Sequence, residues 1–142
     1  MDYYAAVKQF HDAFRHPAPA KPTLTPYDDP AQNERLHILR VALIQEEFDE
    51  LKEGLKNQDI VEIADALADL AVVVTGAAVC YGIDLNEVFA EVNRSNMSKL
   101  DANGQPIYRA DGKILKSELY SPPDIVTIIE KQLKQDVLST GN

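Results

Sequence analysis

Between Leu36 and Leu55 the apolar residues fall on two helical rows. One runs Val41, Ile44, Phe48, Leu51 and Leu55 at alternating spacings of three and four; the other holds Leu36, Leu39 and Leu43. This periodicity predicts a helix from about Pro30 to Leu55, with proline at its start. A second helix is predicted from Ile60 to Tyr81, stopped by Gly82, and a shorter one from Tyr3 to about Arg15. The segment from His16 to Asp29 holds Pro17, Pro19, Pro22 and Pro26, so it reads as an extended connector. Asp84 with Glu87 three residues on has the form of a capping box, opening a helix that ends near Lys99. Asn103-Gly104 and Asp111-Gly112 are turn signals, the second closing a hairpin of Ile107–Ala110 against Lys113–Lys116. A last helix starts at Pro122 or Pro123 and runs to about Gln135, and residues Leu138 to Asn142 are expected to fray. The pattern is all-α: an antiparallel bundle of four or five helices, with a small hairpin or loop before the last. One domain over residues 1–142 is expected, with a core at about 30–100, a basic loop at 101–121 and a C-terminal helix at 122–135.

The stretch Ala66–Cys80 is apolar nearly all round and needs burial on every side. It is short for a membrane span and carries Asp69, so no membrane is expected. Ala71, Gly76, Ala77 and Ala78 permit close helix approach, and a second subunit is the simplest cover. A homodimer or a dimer of dimers is therefore expected. The 142 residues carry 14 Lys+Arg against 23 Asp+Glu, a net charge of −9. That field disfavours a nucleic-acid polymer or an anionic membrane as partner, but not a phosphate substrate reached through metal ions. The single Cys80 excludes a disulfide framework and a cysteine zinc site. With a start that lacks the pattern of a signal peptide, it points to the cytoplasm.

Acidic residues interrupt both apolar helices. At about 100° per residue, Glu47 lies ~40° from Leu43 and from Leu51, inside the apolar face, and Glu50 lies ~20° from Leu43. Asp49, Lys52 and Lys56 point elsewhere, toward solvent. Glu62, Asp65 and Asp69 form one row on the next helix. A charge run on a helix is usually a solvated face. Here two neighbouring helices both carry acids where burial is expected, and among nearby bases only Arg40 is placed to neutralise them. Clustered carboxylates with little compensating charge call for a cation, and all-oxygen ligation suits Mg²⁺ or Mn²⁺ better than zinc. His11, His16 and His37 show no metal-ligand spacing.

Glu46-Glu47-x-x-Glu50 followed by Asp69-Leu70 resembles the motifs of the all-α nucleoside triphosphate pyrophosphohydrolases. That superfamily comprises the MazG-like proteins, the dimeric dUTPases and the phosphoribosyl-ATP pyrophosphohydrolases. Its pattern is E-E-x-x-E followed by E-x-x-D, and the resemblance spans about Leu36 to Lys116. The glutamate expected three residues before Asp69 is Ala66, so either Asp65 takes its place or Glu62-x-x-Asp65 is the working pair. The resemblance implies metal ligation by Glu47, Glu50 and Asp69 with Asp65 or Glu62, and a general-base role for Glu46 or Glu47. It also implies substrate contacts from the Asn-x-x-Lys pair Asn96 and Lys99, and it extends to the basic segment of Arg109, Lys113 and Lys116.

The expected reaction is Mg²⁺- or Mn²⁺-dependent hydrolysis of an NTP or dNTP to the monophosphate and pyrophosphate, as nucleotide-pool house-cleaning. Cleavage of phosphoribosyl-ATP is the alternative within the superfamily. A non-catalytic helical interaction protein, with its acids merely at the surface, is the alternative outside it.

Overall fold

The computed structural model describes residues 1–135. The predicted tail at Leu138–Asn142 lies outside them. They form five helices: α1 (Tyr3–Phe14), α2 (Pro30–Asn57), α3 (Ile60–Cys80), α4 (Leu85–Met97) and α5 (Ile125–Lys134). They divide into two compact units, Met1–Leu85 with Gln135, and Asn86–Lys134.

In the first unit each helix start is held by an aspartate. Asp2 accepts from the Ala5 N–H, Asp29 from Ala31 with Pro30 behind it, and Asp59 from Val61 and Glu62. The join from α2 to α3 is only Gln58 and Asp59, with Gln58 in the left-handed region at φ 54°. So short a join makes the two helices antiparallel neighbours. They meet closely at Gly54, where a Cβ would lie 3.1 Å from the Ile63 nitrogen and 3.2 Å from the Glu62 Cβ. α3 ends as predicted at Gly82, whose N–H donates to Val79 O while Ile83 N–H donates to Ala78 O. This is a Schellman motif. The connector 16–29 has no regular structure and crosses the end of α3, where Thr23 N–H donates to Tyr81 O at 2.9 Å.

α3 packs on α2 and on α1, and the core is Val7, Leu36, Ala66, Ala78, Val79 and Cys80. Two expectations change here. The row Val41–Phe48–Leu55 does not face the core: Val41 is 70% exposed, and Phe48 and Leu55 are also exposed. The buried face of α2 runs through Leu36, Arg40, Leu43 and Glu47, with Ile44 and Leu51 half-buried beside it, while Leu39 of the second predicted row is 44% exposed. The chain alone also leaves Ile60, Val61, Leu67, Val72 and Val74 of α3 exposed. Second, the length argument against a membrane span fails. α3 has 21 residues and is long and apolar enough to cross a bilayer by those criteria. Its Asp65 and Asp69, and its packing between α1 and α2, suit a core helix.

In the second unit Asp124 accepts from the Thr127 N–H, so α5 begins after the aspartate and not at the prolines. Glu87 gives one carboxylate oxygen to Lys131 at 2.6 Å and the other to Gln132 at 3.0 Å, binding α5 to α4. The predicted hairpin is reduced to one bridge, Tyr108 with Ile114, flanked by Arg109 N–H to Lys113 O and Leu115 N–H to Ile107 O. Gly112 supplies the turn at φ 84°.

Candidate active site

The turn at 58–59 sets the register of the α2–α3 pair: residue n on α2 stands opposite roughly residue 117 − n on α3. Glu47 and Glu50 thus share a level with Asp65 and Asp69. Glu47 and Asp69 are half-buried, while Glu46, Glu50, Glu62 and Asp65 are exposed. One oxygen of Glu47, Oε2, is shut from solvent with no hydrogen-bond partner. Burial pushes the Glu47 carboxyl above the usual glutamate value, and the negative charges of Glu50, Asp69, Glu46 and Asp65 push it further. The acids singled out from sequence therefore converge on Glu47 electrostatically, with one exception. Glu62 stands nearer the turn, where it accepts from Asn57 Nδ2 at 3.4 Å.

The remaining acids of α2 behave as surface groups. Asp49 is held below the usual aspartate range by Lys52 at 2.6 Å and Gln45 at 3.1 Å, and Glu53 pairs with Lys56 at 3.3 Å. Among the described residues no basic side chain comes within 4.0 Å of Glu47, Glu50, Asp65 or Asp69. Arg40, the base expected nearby, turns the other way. It is buried against Gly76 and His11, and its Nε has no partner.

The donor set suits a hard divalent ion in kind: carboxylate oxygens only, one of them buried and unsatisfied. As the side chains stand, no three Asp, Glu, His or Cys groups among the described residues are close enough to hold a metal together. Like charges keep the carboxylates apart, so ligation requires side-chain rotation toward the ion.

The predicted phosphate ligands all lie in the second unit. Asn96 Oδ1 accepts from Lys99 Nζ at 2.8 Å. Arg109 is clamped by Asp111 through Nε at 2.9 Å and Nη2 at 2.5 Å, which raises its own pKa and lowers that of Asp111. Lys116 lies over the Tyr120 ring, 4.3 Å from its centroid. The Lys113 N–H donates to Asp111. Arg109 is thus satisfied within its own hairpin.

Two features escaped the sequence. One is the buried group of Arg40, His11 and Cys80. Its only signal was that Arg40 shares the row of Leu36, Leu43 and Glu47. The other is a pocket of about 520 Å³ between the connector and the start of α2, bordered by Thr25, Tyr27, Asn33 and His37. Asn33 is buried there and grips Tyr27 through both N–H and C=O.

A sequence model of the phosphoribosyl-ATP pyrophosphohydrolase family matches residues 7–96, which takes in the carboxylate layer and Asn96. The chain is 27% identical over 129 residues to the uncharacterized protein L479 of Acanthamoeba polyphaga mimivirus. That alignment covers 90% of this chain and 48% of the viral protein, so the chain spans about half the length of that relative. A crystal structure from Exiguobacterium sp. 255-15, described as a "putative NTP pyrophosphohydrolase", has 29% identity and a TM-score of 0.52, covering 94% of this chain and 97% of that one. The all-α fold expected from the sequence is the fold found.

Proposed function

Because this chain belongs to the phosphoribosyl-ATP pyrophosphohydrolase family, within the all-α NTP pyrophosphohydrolase superfamily, we propose that it hydrolyses an NTP or dNTP to the monophosphate and pyrophosphate with Mg²⁺ or Mn²⁺. The observation that carries this reading is the buried, unpartnered Oε2 of Glu47 amid four other carboxylates and no base. Such a carboxylate takes up a proton or meets a cation, and a cluster of carboxylate oxygens with no base nearby favours the cation.

Glu47, Glu50 and Asp69 would hold the ion, with Asp65 ahead of Glu62 as the further ligand, since Asp65 lies in the field of Glu47. When bound, the ion would neutralise phosphate oxygens and acidify a water near the α–β bond. Glu46, exposed beside Glu47, is the side chain free to accept the water's proton. Asn96, Lys99, Arg109, Lys113 and Lys116 are proposed as phosphate contacts on the family resemblance alone; in the second unit Lys99 is held by Asn96 and Arg109 by Asp111. The exposed apolar rows of α2 and α3 support a homo-oligomer, a dimer or a dimer of dimers. A nucleotide-pool role would place the protein in the cytoplasm.

A panel of NTPs and dNTPs with Mg²⁺ or Mn²⁺, scored for pyrophosphate against orthophosphate, tests the reading. Pyrophosphate release that survives intact in Glu50→Gln and Asp69→Asn overturns it. The match to residues 7–96 favours a second substrate, phosphoribosyl-ATP, and preference for it over every dNTP would select that alternative.

A further inference from the structure

The connector 16–29 is tied down by two histidines. His11 Nδ1, on α1, meets Pro17 O at 3.1 Å, and His37 Nε2, on α2, meets Leu24 O at 3.1 Å. A carbonyl only accepts, so Nδ1 of His11 carries the hydrogen and Nε2 holds the lone pair. That lone pair looks into a closed layer. His11 is 2% exposed, Cys80 Sγ lies 3.8 Å from its Nδ1, and Arg40 is 7% exposed. A Cβ built on Gly76 would meet His11 Nε2 at 3.1 Å and Arg40 Nη1 at 3.3 Å, so the two nitrogens converge on one point of α3.

The groups facing His11 are Arg40 from α2, Cys80 from α3, Asp12 from its own helix and His16 from the connector. Asp12 is already paired with Lys8 at 3.0 Å. Beyond the layer, the connector leans on the C-terminal end of α3, where Lys21 O and Pro19 O fill the space beside Gly82. Four of its residues, Leu24, Thr25, Tyr27 and Asp28, make one wall of the 520 Å³ pocket.

We propose that His11 is an acid-operated latch: a proton on Nε2 sets two cations against each other beneath Gly76, and the connector 16–29 lifts from α1 and α3, opening the pocket wall. Burial, with Arg40 and His16, holds the His11 pKa below its usual value against the opposing pull of Pro17 O and Asp12. The open form therefore binds the proton more tightly than the closed form. Closure is complete above about pH 6.5, and opening grows by up to roughly tenfold per pH unit as the pH falls through that window.

The test is NMR hydrogen exchange at the Thr23 amide, which donates to Tyr81 O, with His11 Cε1–H followed on the same sample. The Ile63 amide, bonded to Asp59 O at the far end of the α2–α3 pair, is the internal control. Thr23 protection is expected to fall severalfold as the pH drops from 7 and to level off where the His11 resonance of the closed form titrates, while Ile63 protection holds. His11→Asn keeps a neutral donor near Pro17 O and should abolish the response, and Arg40→Met should weaken it. His37→Asn should leave it in place. Thr23 protection that stays constant from pH 7 down to the His11 titration, or that falls equally in His11→Asn, overturns the latch. So does a response lost in His37→Asn. Should His11→Asn not fold, the order of the two wild-type signals, loss of Thr23 protection before His11 titrates, decides alone.

Discussion

Glu91 and Arg94 grip each other through two hydrogen bonds, Nε to Oε2 at 2.9 Å and Nη2 to Oε1 at 2.7 Å, one turn apart on α4. The same carboxylate accepts the Asp124 N–H at 2.8 Å, and Arg94 donates to Pro122 O at 3.0 Å. One charge pair thus fixes the start of α5 against α4.

Acid should loosen that junction. The Arg94 guanidinium and the Asp124 N–H hold Glu91 at about 2, below its ordinary 4.5. A depressed folded pKa means the unfolded state binds the proton more readily. The contribution is whole above about pH 4.5 and drains away as the pH falls toward 2. Far-UV circular dichroism melts should show a steeper acid loss in wild type than in Glu91→Gln, which starts lower and has less to lose. Parallel pH profiles would count against this role.

The carboxylate layer makes the opposite prediction. Burial and the charges of Glu50, Asp69, Glu46 and Asp65 raise the Glu47 pKa. A raised folded pKa marks a penalty on the charged form, relieved as the pH falls through the folded value. In EDTA, Glu47→Gln should therefore melt higher than wild type. With Mg²⁺ the order should reverse, since wild type gains from binding and the variant does not. Pyrophosphate release should drop on the order of a hundredfold or more. A variant that melts lower in EDTA, or gains as much from Mg²⁺, shows that Glu47 is a structural residue.

Much of this was legible along the chain because it depends on local chemistry. Pro30 and Gly82 announce helix limits through the backbone conformations they allow, which involve residues only a few positions apart. Glu47 and Asp69 stand out because charge on an apolar face is anomalous whatever packs there. Which members of the two apolar rows of α2 are covered was not legible, because both rows are apolar and only the approach of α3 buries Leu36 while leaving Leu39, Val41 and Phe48 exposed. Arg40 illustrates the same limit: its place on the helix was readable, yet its turn toward His11 depends on α1, some 29 residues away in sequence. The proposed preference for Asp65 over Glu62 rests on the level of the turn at 58–59, which spacing alone does not supply.

Gly54 should resist substitution despite its helical position. Exchange to alanine in a helix interior ordinarily gains about 1 kcal/mol. Here the added Cβ meets Ile63 N at 3.1 Å and the Glu62 carbonyl carbon at 3.3 Å, which are backbone atoms with little freedom to retreat. Overpacking of this kind costs about 1–3 kcal/mol, so Gly54→Ala should be destabilised by ~1 kcal/mol net and push α2 from α3 at the level just beyond Glu50. Urea unfolding reads the first effect, and a weaker Mg²⁺-induced rise in melting temperature reads the second. Increased stability would show that the helices separate freely at the turn.

The exposed side of α2 gives the last expectation. Ile38, Val41, Phe48 and Leu55 leave a long apolar strip on a chain of net charge −9, and Val61 on α3 is 74% exposed. A strip of that kind marks an interface. Charge placed within it must be desolvated if another subunit covers it, at a cost of several kcal/mol per buried ion, but is harmless in water. Phe48→Glu combined with Val41→Glu should therefore shift the protein from oligomer to monomer in light scattering behind gel filtration, while the helical circular dichroism signal of the monomer is kept. If the double variant elutes with the mass of the wild type, the strip is open surface, and only a wild type that is itself oligomeric would direct the search for an interface to the α1–α3 side, where Leu67 and Val72 are exposed.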